Sequence, residues 1–205
     1  MNATIPPGQA RGRRTLLLIA ALFLVPLAAS FLLYYGADGF GPSGRTNKGD
    51  LLDPARPLPQ LVLPLADGGA TDLEFLQGKW TWAYVGDGRC NERCRQALYL
   101  TRQSRLALNK DLDRVQRVFL ATSDCCDRAF LQSEHPDLLV VDAGDSRAGA
   151  LLAPFPVYDG VALASAGRIY LIDPLGNLLM SYGPQAPEKA LLQDLKKLLK
   201  LSHIG

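Results

Sequence analysis

The chain has little net charge and few cysteines, and each shortage excludes a class of function. Its formal charge is +2, and no run of basic residues alternates with aromatic ones after the N-terminal region, so nothing supports a nucleic-acid partner. Four cysteines in 205 residues are too few and too clustered for a disulfide-stapled scaffold. The sequence also lacks a Ser/His/Asp set, a glycine-rich phosphate loop and a carboxylate pair suited to hydrolysis.

The four cysteines form two close pairs, Cys90 with Cys94 and Cys125 with Cys126. The first pair follows a β-rich run, residues 80–85, and a glycine-marked turn, and a helix-like segment comes after it. Such spacing indicates redox or soft-metal chemistry. A thiolate is both the nucleophile and the metal ligand, and a helix start with arginines nearby lowers a thiol pKa. An inert disulfide or two buried thiols is the alternative.

The N-terminal region predicts a membrane anchor. Residues 15–35 carry no charge and are long enough for one transmembrane helix, which Pro26 can kink. Residues 1–14 would be a cytoplasmic tail, unstructured over residues 1–12, because arginines lie only on that side of the helix. In a bacterium the rest of the chain would then face the periplasm from the inner membrane. A cleaved signal peptide is the alternative, although the apolar run is longer than usual for one.

Two further segments follow the anchor. Residues 36–59 are rich in Gly, Pro, Asp and Ser without any period, which predicts a linker. Residues 60–205 predict one domain in the order strand, helix, strand, short helix, strand, hairpin, helix. Strand–helix–strand units imply parallel central strands, and the hairpin adds antiparallel ones. The expected fold is therefore α/β, a thioredoxin-like sandwich with a central mixed sheet, preceded by one transmembrane helix.

The anchor, this order of elements, the Cys-x3-Cys pair at Cys90 and Cys94, and the hairpin sequence over residues 169–177 together resemble the Sco/SenC family. That resemblance implies a membrane-anchored copper chaperone or thiol-disulfide protein that assists assembly of the copper site of cytochrome c oxidase. It implies Cu(I) as a metal for Cys90 and Cys94, and no other cofactor. The expected partners are a respiratory oxidase subunit or another assembly factor.

The chain departs from the family pattern in two places, and from a plain thioredoxin in a third. A histidine that completes the family's copper site is replaced by Ser165, whose hydroxyl is a poor Cu(I) ligand. Prolines that usually accompany the cysteine pair are absent, and Gly167 stands where a thioredoxin has a cis-proline. The absence of the histidine favours thiol chemistry over copper delivery. In that chemistry Cys90, expected to be the more exposed thiol, attacks a partner disulfide and Cys94 resolves the mixed disulfide.

The second pair, Cys125 and Cys126, follows a strand predicted to run parallel to the one before Cys90. Loops at the carboxyl ends of parallel strands meet at one edge of the sheet, so all four thiols are expected there. Cys125 or Cys126 would resolve a disulfide with the first pair or add thiolate ligands in place of the histidine. Two incidental loop thiols are the alternative reading.

The remaining candidates favour structural roles. His135 precedes a strand, which predicts a surface loop at the opposite end of the sheet from the cysteines. His203 lies in the C-terminal tail, and Met180 in the apolar hairpin predicts a core residue. Asp173 and Asn177 flank the hairpin turn and are expected to fix its geometry.

Three functions therefore remain open at this stage. The first two act through Cys90 and Cys94 on a respiratory oxidase, either by thiol-disulfide chemistry or by Cu(I) transfer. The third is a thioredoxin-like scaffold without catalysis in an oxidase assembly complex. If the chain is an enzyme, it is a thiol-disulfide oxidoreductase.

Overall fold

The computed structural model describes residues 7–36, 46–123 and 127–202. Its contacts separate the chain into two units, Met1–Thr46 and Asn47–Gly205. The first unit holds one long helix, and the second is an α/β domain. The expected order of an apolar helix followed by an α/β domain is therefore confirmed.

The first unit contains helix α1, Pro7–Gly36, with Pro26 inside it. Its stretch Gly12–Leu33 is long and apolar enough to cross a membrane, close to the bounds predicted for the anchor. The expectation of an unstructured tail over residues 1–12 is wrong from Pro7 onward. A proline suits the first turn of a helix, where an N–H would have no partner anyway.

The second unit is built around one six-stranded sheet in the order β1-β6-β5-β2-β3-β4. β2 pairs parallel with β3, and β3 with β4, whereas the other neighbours are antiparallel. The mixed thioredoxin-like sheet is thus confirmed. The strands are β1 Asp50–Pro57, β2 Trp80–Gly86, β3 Val115–Ala121, β4 Leu138–Asp142, β5 Ile169–Ile172 and β6 Asn177–Tyr182. The helices are α2 Glu92–Leu106, α3 Arg128–Glu134, α4 Ala148–Leu152 and α5 Ala190–Leu201, with 3-10 turns at Asn109–Arg114 and Leu163–Ser165.

Strand β2 is buried along its whole length, because both faces of the sheet are covered. Trp82 and Tyr84 point into one core with α2 and α5, whereas Ala83 and Val85 point into a second core on the other face. This alternation is the period of two that any strand has. Packing on both faces holds β2 rigidly, and the segment with the first cysteine pair follows its carboxyl end.

The linker predicted over residues 36–59 is wrong for residues 50–57, which form edge strand β1 along β6. The pairing places Asp50 opposite Ser181, and its register shifts between Leu51 and Arg56. Only Leu52 in this strand is buried. An exposed edge strand interrupted by a proline has no hydrophobic alternation, and this explains why its sequence resembles a spacer.

Candidate functional site

Cys90 and Cys94 form a disulfide where β2 passes into α2, with their Cα atoms 5.0 Å apart. Asn91 caps the helix, and its side-chain oxygen accepts from the Cys94 N–H at 3.2 Å. Cys90 precedes this cap at φ +46°, in the left-handed region. Cys90 therefore lies before the helix and not on one of its faces, and a left-handed turn brings it back to the first turn of α2.

Both cysteines are buried, each 2% exposed. Cys94 lies on the inward stripe of α2 with Ala97, Leu98 and Thr101, the spacing of one helix face. The expectation that Cys90 is the more exposed thiol is wrong, because the turn folds it into the same core cluster as Cys94. A partner thiol reaches either sulfur only if the covering groups move.

The turn before the disulfide is fixed to the end of β3. Ser123 Oγ accepts from the Gly88 N–H at 3.1 Å and donates to the Asp87 carboxylate at 3.0 Å. The Thr122 N–H donates to the Gly86 carbonyl at 2.9 Å. Hydrogen bonds from Arg89 and Ser123 lower the pKa of Asp87 to about 2. Asp87 therefore stays ionised and keeps the turn closed around neutral pH.

The second cysteine pair lies outside the described residues, but both flanks of that segment contact the first pair's segment. On one side, Ser123 bonds to the turn before Cys90. On the other, the Asp127 carboxylate lies 3.4 Å from the guanidinium of Arg95, which also covers the Phe130 ring at 4.2 Å. Ser123 and Asp127, the residues on either side of residues 124–126, therefore both contact the segment that carries the disulfide.

Gly167, which precedes β5, lies beside Arg93, the residue directly before Cys94. Gly167 has φ +62°, and a Cβ there would lie 3.7 Å from the Cδ of Arg93. Burial raises the pKa of Tyr84 to about 12, and the charge of Arg93 acts in the opposite direction. Gly167 therefore has a left-handed backbone at the place where a thioredoxin has its cis-proline. The one cis peptide among the described residues is elsewhere, at Asp53–Pro54.

Ser165 lies in the 3-10 turn that packs against β2, and its side chain is exposed. Because β5 runs antiparallel to β2 and Ile169 pairs with Tyr84, this turn sits at the same edge as the disulfide. Over residues 7–36, 46–123 and 127–202, no group of three or more His, Cys, Asp and Glu side chains could hold a metal. The described donors for Cu(I) at this edge are therefore the two sulfurs.

Met180, Asp173 and Asn177 have the structural roles expected of them. Met180 is buried in the core. The Asp173 carboxylate accepts from the backbone N–H groups of Leu175 and Asn177, which closes the hairpin turn. His203 lies outside the described residues. His135 differs from the expectation.

The expectation that His135 is a surface residue is wrong, because its side chain is only 4% exposed. It lies at the opposite end of the sheet from Cys90, as expected, where it ends α3. Its Nδ1 is 3.2 Å from Nη2 of the fully buried Arg117. Burial, and then Arg117 and Arg102, lower the pKa of His135 to about 4. The ring is therefore neutral at pH 7 and accepts at Nδ1.

We expect this histidine to make the fold sensitive to acid. The unfolded chain protonates His135 near pH 6.5, above its pKa in the folded chain, so stability falls as the pH drops from about 6.5 toward 4. When the pH is lowered from 7 to 4.5, the free energy of unfolding of the wild type should fall by about 2 kcal/mol more than that of His135→Gln. The glutamine is a suitable control because its amide oxygen still accepts from Arg117. Urea unfolding at both pH values measures this, and equal losses would contradict it.

These features define a class of protein: a thioredoxin-like α/β domain with a disulfide at the junction of a central strand and a helix, preceded by a helix suited to span a membrane. Residues 80–202 match the family described as transmembrane-like, thioredoxin-like, C-terminal domain. The chain belongs to this family. No curated protein matches the sequence.

Several solved structures share the fold at low identity. Bradyrhizobium japonicum ScoI with copper bound is 21% identical, with a TM-score of 0.54 over 69% of this chain and 98% of that one. Apo Sco1 from Thermus thermophilus is 19% identical, with a TM-score of 0.59 over 76% and 99%. BsSco, a cytochrome c oxidase assembly protein of the Sco family in which a disulfide switch was identified, is 15% identical, with a TM-score of 0.55 over 75% and 99%. The Sco-like fold expected from the sequence is confirmed, and the low identities agree with a divergent chain.

Proposed function

We propose that this chain is a membrane-anchored thiol-disulfide oxidoreductase of the Sco type that keeps the copper-site cysteines of a respiratory oxidase reduced. The observation that carries the proposal is the Cys90–Cys94 disulfide at the start of α2. A helix N-terminus stabilises a thiolate, so the reduced pair is suited to nucleophilic attack. Sco proteins of the same fold include a cytochrome c oxidase assembly protein, which supports the choice of partner.

The proposed reaction transfers two electrons from this chain to its partner. In the reduced chain the thiolate of Cys90 attacks a partner disulfide, forms a mixed disulfide and releases one partner thiolate. Cys94 then attacks the Cys90 sulfur, which releases the second partner thiolate and leaves the Cys90–Cys94 disulfide seen in the structure. A dithiol reductant outside the cytoplasm must then reduce this disulfide for another cycle.

Delivery of Cu(I) as cargo is the second candidate function. Two thiolates fit a soft monovalent metal, and copper is bound in a Sco structure of the same fold. Ser165, at the same edge of the sheet, is a poor third ligand because a hydroxyl is a hard donor. Cys125 or Cys126 would supply the third thiolate, or resolve a disulfide with the first pair; the contacts of Ser123 and Asp127 beside the disulfide support this.

A scaffold without catalysis is the third candidate function, and the burial of both sulfurs favours it. For all three, we propose that α1 is an uncleaved anchor in the inner membrane with the domain in the periplasm. The arginines before the apolar stretch support this orientation. The partner is an oxidase subunit or another assembly factor, and we propose no nucleic-acid partner.

One set of measurements on the full chain in detergent micelles separates the three functions. We expect equilibration with glutathione buffers, followed by thiol alkylation and mass spectrometry, to give Cys90–Cys94 a potential within about −120 to −270 mV. A potential below about −300 mV is typical of a structural disulfide and would contradict the reductase. Anaerobic Cu(I) titration against a competing chelator tests delivery, which requires one-to-one binding that Cys90→Ser abolishes.

The matched control replaces the second pair with Cys125→Ser and Cys126→Ser. We expect this variant to keep the potential of the first pair and, if copper binds, to bind it less tightly than the wild type. If the double variant matches the wild type in both measurements, the second pair has no part in the site.

A further inference from the structure

A half-open cavity of about 310 Å³ lies on the face of α3 away from the disulfide turn, between α3 and strand β4. The segment that follows Leu63 closes its third side. Its polar wall is Arg128, Gln132 and His135, and its apolar wall includes Leu131, Leu138 and Val140. A volume near 300 Å³ is at the small end of the range for binding sites, and this cavity offers both polar and apolar contacts. None of the proposed thiol or copper chemistry uses it.

The cavity occupies the place where pairing along the outer edge of β4 stops. Residues 64–66 pair only with the C-terminal half of this edge. The Asp142 N–H donates to the Pro64 carbonyl at 2.8 Å, and the Ala66 N–H donates to the Val140 carbonyl at 3.0 Å. Because backbone groups alternate in direction along a strand, the Val140 N–H and the Leu138 carbonyl also point outward. No residue in the described ranges bonds to either group.

The polar wall presents donors along one stripe of α3. Arg128, Gln132 and His135 follow each other at spacings of four and three, which places them on one helix face. Arg128 is exposed and has no ion pair with any described residue. An arginine is always a donor, so Nδ1 of His135 accepts from Arg117 and the ring proton is on Nε2. No described residue accepts that Nε2 proton.

We propose that this cavity binds an extended peptide segment of a partner protein, which adds as a short strand to β4 and places an acidic side chain against Arg128. Leu138 and Val140 are two residues apart, so they repeat at roughly 7 Å along the strand and offer an added strand an outward acceptor, the Leu138 carbonyl, and an outward donor, the Val140 N–H. A small carboxylate would use the donors and leave the Leu138 carbonyl unpaired. Asp67 on the cavity rim disfavours a second acidic residue there.

The probe is the capped pentapeptide acetyl-Thr-Val-Asp-Val-Thr-amide, compared with the same peptide carrying Lys in place of Asp. We expect fluorescence anisotropy with the full chain in detergent micelles to show at least tenfold tighter binding of the Asp peptide. We also expect that peptide to slow hydrogen exchange within residues 138–142, because the Val140 amide becomes paired. Absence of binding, or slower exchange at a different segment, would overturn the proposal, as would equal binding of hexanoate.

Two matched variants separate the groove from general charge effects. Arg128→Glu should reverse the preference to the Lys peptide, and a glutamate is well tolerated in the first turn of a helix. Lys110→Glu makes the same change in net charge at an exposed residue away from α3 and should leave the preference unchanged. Equal effects of both variants would show that net charge alone attracts the peptide and would overturn the proposal.

Discussion

Replacing Asp137 with alanine is expected to lower the free energy of unfolding by about 3 kcal/mol. Oδ1 of Asp137 lies 2.9 Å from Nη1 of Arg117, whose side chain has no exposed surface. Its Oδ2 lies 3.0 Å from Nη1 of Arg105. The variant leaves a buried guanidinium without a counter-charge and a second cation beside it. The expected loss is at the low end of the range for breaking a buried ion pair, because Asp137 is 32% exposed and water can take over some of its contacts.

The rest of the network prevents Arg117 from turning toward water. Its Nε donates to Thr101 Oγ1 at 3.2 Å, and its Nη2 donates to the Leu98 carbonyl at 2.8 Å. Burial lowers the pKa of Arg117 to about 10, and Asp137 acts in the opposite direction. The guanidinium therefore remains charged at neutral pH, and the cost of leaving it unpaired is a cost in stability.

Urea unfolding followed by tryptophan fluorescence measures this effect, since Trp80 and Trp82 both lie in β2. The control is Asp145→Ala, which removes an ion pair to an arginine that is 55% exposed and should change the free energy of unfolding far less. Arg117→Met added to Asp137→Ala should recover much of the loss, because it removes the unpaired charge. Independent, additive losses in the double variant would contradict this account.

This network was missed in the sequence for a physical reason. The apolar run of β3 predicts its burial correctly, but the partners of Arg117 are far away along the chain: Leu98 is 19 residues and Asp137 is 20 residues distant. Patterns over a few residues carry no information on such pairs. His135 consequently looks like a loop histidine, although tertiary packing buries it against Arg117.

The site's location was more predictable than its environment. A β-rich run, glycines and a cysteine pair are local signals, and they predicted the junction of β2 and α2 correctly. The parallel pairing of β2 with β3 follows from a strand–helix–strand order, and it brings Ser123 beside the turn. The burial of Cys90 was not predictable, because it depends on a left-handed turn and on the packing of the core around it.

Strand β1 was not predictable for the same reason, because the side chain that fixes its start, Asp194, is about 145 residues away along the sequence. Asp194 lies on the inward side of α5 and is 4% exposed. Its Oδ2 accepts from the backbone N–H groups of Lys48 at 2.7 Å and Gly49 at 2.9 Å, and from the hydroxyl of Tyr182 at 3.0 Å. Burial and Asp194 raise the pKa of Tyr182, so its hydroxyl remains a donor.

Replacing Asp194 with alanine is therefore expected to lower the free energy of unfolding by about 3 kcal/mol, because three donors lose a charged acceptor. We also expect faster hydrogen exchange over residues 50–57, because the two backbone donors fix the chain directly before β1. Asp194→Asn keeps one acceptor oxygen and should lose about half as much, and Tyr182→Phe, which removes one donor, should cost about 1 kcal/mol. Unchanged exchange in β1 of Asp194→Ala would show that pairing with β6 alone holds this edge strand.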